Sequence, residues 1–328
     1  RPACGVRVRI PEGMLPKALN IVENRVQVEM KINGMQKKVL VPVDFSEYSM
    51  TACKVAFAFA RKMSLHPVLM HVYATPYFDG SLSFPDSFTV DMRDSEVRKN
   101  LQDAASLEMK RFCAKIDSEI ANGKMPAIGY SRNIAEGVPE DVILDYTRRT
   151  PPELVVMATR DANKKARELI GSVTAEVLDS CRSVAFTVPE SMRLPIPKEG
   201  MRQVAFFANL DNDDFSVLDK VNELFPTLPF HINLVYAGRK KGRAEGNDRE
   251  MEMLLDYCKV HYPGYVFDAK TVSGVGDIED FEKMQQERPM EMIIIPNKRK
   301  NALARLFNPG LAHRLLFHCD IPMLAVPV

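Results

Sequence analysis

The apolar positions of this 328-residue chain fall into short runs separated by amphipathic stretches, and the whole series occurs twice. Lys38 to Val43 is a nearly continuous apolar run, the pattern of a strand buried on both faces of a parallel sheet. Ala52, Val55, Ala56, Phe59, Ala60 and Met63 then recur at helical spacing, with Ser46 placed to cap that helix. Pro67 precedes a second strand, Val68 to Tyr73. A loop rich in Pro, Gly, Ser and Asp runs from Pro76 to Asp94, and a helix is expected from about Ser95 to Ala121. The pattern puts a third strand over about Ala127 to Ser131. Pro139 belongs in the first turn of a helix reaching Thr147, and Pro151-Pro152 stops anything further. Leu154 to Ala158, Val173 to Ser180 and Ser183 to Val188 complete the series as strand, helix and strand.

The second series runs in the same order. Lys37 to Asp44 aligns with the segment that begins Met201 to Ala208, Val68 to Ala74 with Ile232 to Ala237, and Leu154 to Thr159 with Met292 to Asn297. Leu178 to Pro189 aligns without a gap on Leu316 to Pro327, so both copies close through a Cys, an apolar strand and Val-Pro. Each copy is longer than a solenoid repeat and is expected to be a domain. Strands alternating with helices give the fold class α/β, as two tandem doubly wound five-stranded parallel-sheet domains. The expected boundaries are an N-terminal extension at 1–36, a first domain at 37–189, a proline-bearing linker at 190–201 and a second domain at 202–328. Ser183 to Val188 and Ile321 to Val326 would each be an exposed apolar edge if left alone. Their antiparallel pairing across a pseudo-two-fold would join the copies as an internal pseudo-dimer.

Composition narrows the function classes. Hydrophobic residues at 46% with 27% charged residues are ordinary for a globular protein, and the formal net charge is +1. Bulk electrostatics therefore gives no reason to expect nucleic acid or an acidic membrane surface as a partner. No apolar run approaches the roughly 18 residues that cross a bilayer. The six cysteines, at 4, 53, 113, 181, 258 and 319, are dispersed without metal-ligand spacing, as expected of a cytoplasmic protein in a reducing compartment.

An open parallel sheet binds ligands beyond the carboxyl ends of its strands, where strand order reverses. In the first copy those ends supply Pro42, Val43 and Asp44, then Val72, then Met157 and Ala158. Gly171, Ser172 and Val173 open the last helix, where backbone amides and the helix dipole suit an anion. The Ser172 hydroxyl serves either such an anion or its own helix as a cap. His71 lies within an apolar strand and reads as a satisfied core or rim histidine. No histidine is placed to activate Ser46, and no phosphate-loop or dinucleotide motif occurs.

The motifs VLVPVDFS, LMHVYA, VVMAT and GSVTAEVL, across residues 38–189, resemble the universal stress protein family, and residues 202–327 match it more loosely. The whole chain resembles a tandem member. Residues 5–24 are weakly similar to the closing strand and helix of small ferredoxin-like signal-transducing domains. The family resemblance implies a five-stranded doubly wound fold and, in some members, ATP binding through an aspartate after the first strand and a G-x2-G-x9-G-S/T loop. Carried onto this chain, it makes Asp44 and Val72 contacts for adenosine and puts Gly171, Ser172 and Val173 at the phosphates. The two leading glycines fall on Ala158 and Asp161. A carboxylate at Asp161 opposes phosphate, because like charges at about 4 Å cost on the order of 1–4 kcal/mol. In the second copy Asn209 replaces the aspartate, and Asn308-Pro309-Gly310-Leu311 replaces the loop. The implied function is a non-catalytic stress-response regulator or scaffold with a degenerate nucleotide site in the first domain and a protein partner. The alternatives are an ATP or AMP sensor using that domain, and a weak nucleotide hydrolase.

Overall fold

The computed structural model describes residues 37–74, 90–159, 172–189, 192, 203–208, 210–226, 230–238, 244–273, 285–297 and 321–328. Lys38–Val328 form one compact unit. The expectations for residues 1–36, for the 190–201 linker apart from Met192, for Asn209 and for the 308–311 loop lie outside the described residues.

The first copy runs β1 (Lys38–Pro42), α1 (Glu47–Met63), β2 (His66–Tyr73), α2 (Val90–Ala121), β3 (Ser131–Glu136), α3 (Pro139–Arg149), β4 (Leu154–Thr159), α4 (Ser172–Ser180) and β5 (Val184–Pro189). The second runs β6 (Gln203–Ala208), α5 (Asn212–Leu224), β7 (His231–Gly238), α6 (Ala244–His261), β8 (Val266–Ser273), β9 (Met292–Asn297) and β10 (Met323–Pro327). One ten-stranded sheet results, in the order β3-β2-β1-β4-β5-β10-β9-β6-β7-β8. Its two halves are mirror-ordered, five-stranded and internally parallel, the doubly wound α/β fold twice over. The order reverses beside β1 and beside β6, which fixes where each half can open a cleft.

The halves meet where β5 and β10 pair antiparallel, with Met323 opposite Thr187, Leu324 opposite Phe186 and Ala325 opposite Ala185. All six of these residues are buried. Side chains reinforce the ladder: Met323 N–H donates to Thr187 Oγ1 at 3.2 Å, and the Asn297 amide donates to the Leu178 carbonyl. Aromatic rings cross the seam as well. Phe59 of α1 stands edge-on to Phe186 at 5.1 Å and touches Phe225, just after α5, at 5.6 Å. Phe225 then meets Phe230, and Phe230 meets Tyr265.

Several boundaries differ from the sequence pattern for identifiable reasons. The third strand is Ser131–Glu136, not Ala127 to Ser131. Because β3 is an edge, it has no need of an apolar run, and its sequence is SRNIAE. Ile128 and Tyr130 instead pack on the core from the irregular segment before it, with Tyr130 against Phe57 and its hydroxyl on Asp117 at 2.9 Å. Strand β2 begins at His66 and includes Pro67. Strand β3 first reaches β2 at Val68, so Pro67 lies beyond that neighbour, and its missing N–H breaks no rung there. Helix α2 begins at Val90 rather than Ser95, since propagation from an established helix overrides a loop-like composition at its start.

Helix α1 shows how the core forms. Ser46 is extended and accepts from Ser49 N–H as N-cap, Ser64 ends the helix in the left-handed region, and Ala52, Cys53, Val55, Ala56, Phe57, Phe59 and Ala60 are buried. Cys53, Cys113, Cys181 and Cys258 are buried free thiols. Burial pushes the Cys53 thiol far up and that of Cys258 up to about 12, so both act as small apolar residues.

Candidate functional site

The turn from β1 into α1 is built around one strained residue. Phe45 is left-handed at φ 66, which a bulky side chain adopts only when its surroundings hold it. The Asp44 carboxylate supplies that hold. Its Oδ1 accepts from Ser46 N–H at 3.1 Å, from the Ser46 hydroxyl, and from the Ser49 hydroxyl at 2.6 Å. Ser49 Oγ accepts in turn from Asp44 N–H at 3.0 Å. The turn therefore closes on itself and leaves Asp44 exposed at the strand end.

The turn also places a histidine. Phe45 lies 4.1 Å from the ring of His71, between centroids. His71 Nδ1 is 2.8 Å from the Val43 carbonyl, which can only accept, so the proton sits on Nδ1. In the neutral ring Nε2 is then an acceptor. The sequence reading of a satisfied rim histidine agrees with this geometry. That reading missed that His71 also lines a cleft.

The cleft is a cavity of about 310 Å³ bounded by the carboxyl ends of β1, β2 and β4 and the first turns of α1, α3 and α4. Such a volume is at the small end of ligand sites. Of the residues expected at a site, Pro42, Val43, Asp44, Val72, Met157, Ala158 and Val173 all line it. Asp161 and Gly171 lie outside the described residues, as does the side chain of Ser172. Ser172 itself opens α4. The remaining wall comes from Ser46, Tyr48, Ser49, Met70, His71, Pro139, Ile143, Thr159 and Thr174. Thr174 donates to the Ala158 carbonyl at 3.3 Å, which pins α4 to the end of β4. Ser49 and Thr174 had a faint signal in the sequence, as hydroxyls one turn inside helices that begin at strand ends. The wall thus combines apolar strand ends with hydroxyls, an imidazole and a carboxylate, groups that suit a planar polar ligand with a hydroxylated ring.

The second copy builds the corresponding turn with the charge moved. Leu210 is left-handed at φ 57, as Phe45 is. Asp211 caps α5, as Ser46 caps α1, and Asp214 stands three residues on, where the first copy has Ser49. Asp214 Oδ2 accepts from Leu210 N–H at 2.8 Å and Asp211 N–H at 3.4 Å, and Asp214 is fully buried. Asp211 and Asp214 thereby form a capping box at the start of α5. Asn297, at the end of β9, occupies the place that Thr159 has at the end of β4. Thr159 faces the cleft, whereas Asn297 is committed to the Leu178 carbonyl across the seam. Among the described residues no group of histidine, cysteine and acidic side chains could hold a metal ion, and no helix is long and apolar enough to cross a membrane.

Comparison with known proteins places this geometry. The universal stress protein family model matches residues 35–185. A universal stress protein from Archaeoglobus fulgidus superposes with a TM-score of 0.63 at 12% identity, covering 88% of this chain and 98% of its own. A protein of unknown function from Pseudomonas aeruginosa superposes with a TM-score of 0.56 at 10% identity, covering 90% of this chain and 94% of its own. A universal stress protein in complex with cAMP is 20% identical over 47% of this chain and 97% of its own, and its TM-score of 0.31 is too low to carry a ligand across. No curated protein matches the sequence. The first copy, which holds the cleft, belongs to the universal stress protein family, and the second repeats its strand order in the same sheet.

Proposed function

We propose that this chain is a cytoplasmic, non-catalytic stress-response regulator or scaffold with a degenerate nucleotide site in its first copy. The observation that carries the reading is the unequal use of two equivalent strand ends. Thr159 lines the ligand-sized cavity of the first copy, while Asn297 ties the second copy to the first. Binding without turnover is supported by the hydroxyls: Ser46 and Ser49 both donate to Asp44 rather than to an imidazole. A protein partner would then read the ligand-bound or ligand-free state. The cavity itself favours a second reading, in which the first copy is an ATP or AMP sensor.

Isothermal titration with adenosine, AMP and ATP separates the two. The degenerate-site reading expects adenosine and AMP to bind weakly and ATP no more tightly than adenosine. It also expects Asp161→Gly to raise ATP affinity by about tenfold or more, since removing a like-charge cost of about 1.4 kcal/mol is already tenfold. ATP binding at least tenfold tighter than adenosine in the unaltered protein, lost in Asp44→Ala, would establish the sensor instead. Conversion of the bound nucleotide during the titration would point to a weak hydrolase.

A further inference from the structure

Among the described residues strand β8 ends the sheet and pairs on one side only, with β7. Val266 N–H donates to the Phe230 carbonyl at 2.9 Å, so Val266, Asp268, Lys270 and Val272 direct their backbone groups toward β7. Phe267, Ala269 and Thr271 direct theirs outward, to the open edge. This edge is eight residues long, and its exposed positions include Val266, at 59%. The opposite edge, β3, is six residues long, and α2 reaches its last residue through an Arg98–Glu136 ion pair at 3.2 Å.

The order of residues along β8 is complementary to itself. A two-fold centred on Ala269 puts Ala269 opposite Ala269 and Phe267 opposite Thr271, all outward-directed positions that can exchange N–H···O bonds in pairs. Between them the same register sets Asp268 against Lys270 and Val266 against Val272, at the close, non-hydrogen-bonded positions where side-chain identity matters most. Centring the axis one residue either way would keep the outward backbone groups matched but oppose Asp268 to Asp268 or Lys270 to Lys270, like charges face to face. Ala269 is itself exposed and small, so its own side chain does not obstruct approach at the axis.

We propose that the β8 edge is a homodimer interface, joining two copies of this chain by antiparallel β8–β8 pairing centred on Ala269. The pairing continues the sheet from one copy into the next and satisfies an edge that would otherwise template aggregation.

Cysteine cross-linking of the full chain tests the register directly. Residues facing each other in a hydrogen-bonded antiparallel pair have Cα atoms about 5.5 Å apart, within disulfide reach. Ala269→Cys should therefore form a covalent dimer under mild oxidation, while Thr271→Cys, which faces Phe267 of the other copy, should not. The unaltered chain, oxidised in parallel, controls for its own cysteines. Ala269→Pro removes an N–H that the monomer does not use, and should abolish the dimer in sedimentation velocity with the far-UV spectrum unchanged. Lys270→Asp should weaken the dimer at least tenfold. The interface is refuted if Ala269→Cys cross-links no better than Thr271→Cys, or if the unaltered protein sediments as a monomer at every concentration. A dimer that survives Ala269→Pro would refute it equally.

Discussion

Replacing Phe186 by alanine is expected to lower the stability of the whole 38–328 unit by about 3–5 kcal/mol, the usual loss for a buried phenylalanine, and to do so in one transition. Phe186 is fully buried, lies opposite Leu324 on the antiparallel rung, and receives the edge of Phe59. Phe59 is the ring that passes the contact to Phe225 and so to the second copy. A cavity at this point removes packing from both copies at once, and aromatic pairs lost with it add to the cost. The chain has no tryptophan, so urea unfolding monitored by far-UV circular dichroism is the appropriate readout. A single transition with a lowered midpoint is the expected result. Two transitions, only one of them shifted, would show that the copies fold independently and that the seam is a contact rather than a core.

The second large effect is expected at Asp214. Its carboxylate is fully buried and holds both N–H groups of a turn whose Leu210 is left-handed. Asp214→Ala removes the capping box and takes the carboxylate acceptor from two part-buried turn N–H groups, a loss of about 1–3 kcal/mol. Asp214→Asn keeps an acceptor and should recover part of the loss in the same urea titration. Asp44→Ala in the equivalent turn should cost clearly less, because Asp44 is exposed and water can replace it. Equal losses at the two positions would contradict the assignment of the buried carboxylate as the structural one. The comparison also matters for binding work, since a folded Asp44→Ala protein is what the titration requires.

How far the sequence could be read depends on where periodicity is enforced. Strands β1, β4, β5, β9 and β10 are buried on both faces, so their residues form apolar runs that announce them. Edge strand β3 is under no such constraint, and the apolar Ile128 and Tyr130 drew the expected strand several residues too early. The cap at Ser46 was legible because capping is local in sequence. What Ser46 and Ser49 do together was not legible, because it depends on the left-handed turn at Phe45, and nothing in a phenylalanine suggests positive φ. The second copy shows the same limit. Aligned by position, it shows an aspartate lost at Asn209, whereas in three dimensions Asp214 takes over the work of closing the turn. Thr159 and Asn297 likewise align as strand ends, and only the packing of Asn297 onto α4 separates a cleft wall from a seam contact.

The central claim is that two copies of one fold have divided their roles, the first keeping a ligand cleft and the second giving its strand ends to the seam. Hydrogen exchange of the full chain with and without adenosine, read by mass spectrometry on peptides, tests this most directly. The claim predicts slowed exchange in peptides covering residues 43–50, 70–73 and 157–159, with peptides covering 210–215 and 293–297 unchanged. Slowed exchange in the second copy's peptides, equal to or greater than in the first, would contradict it.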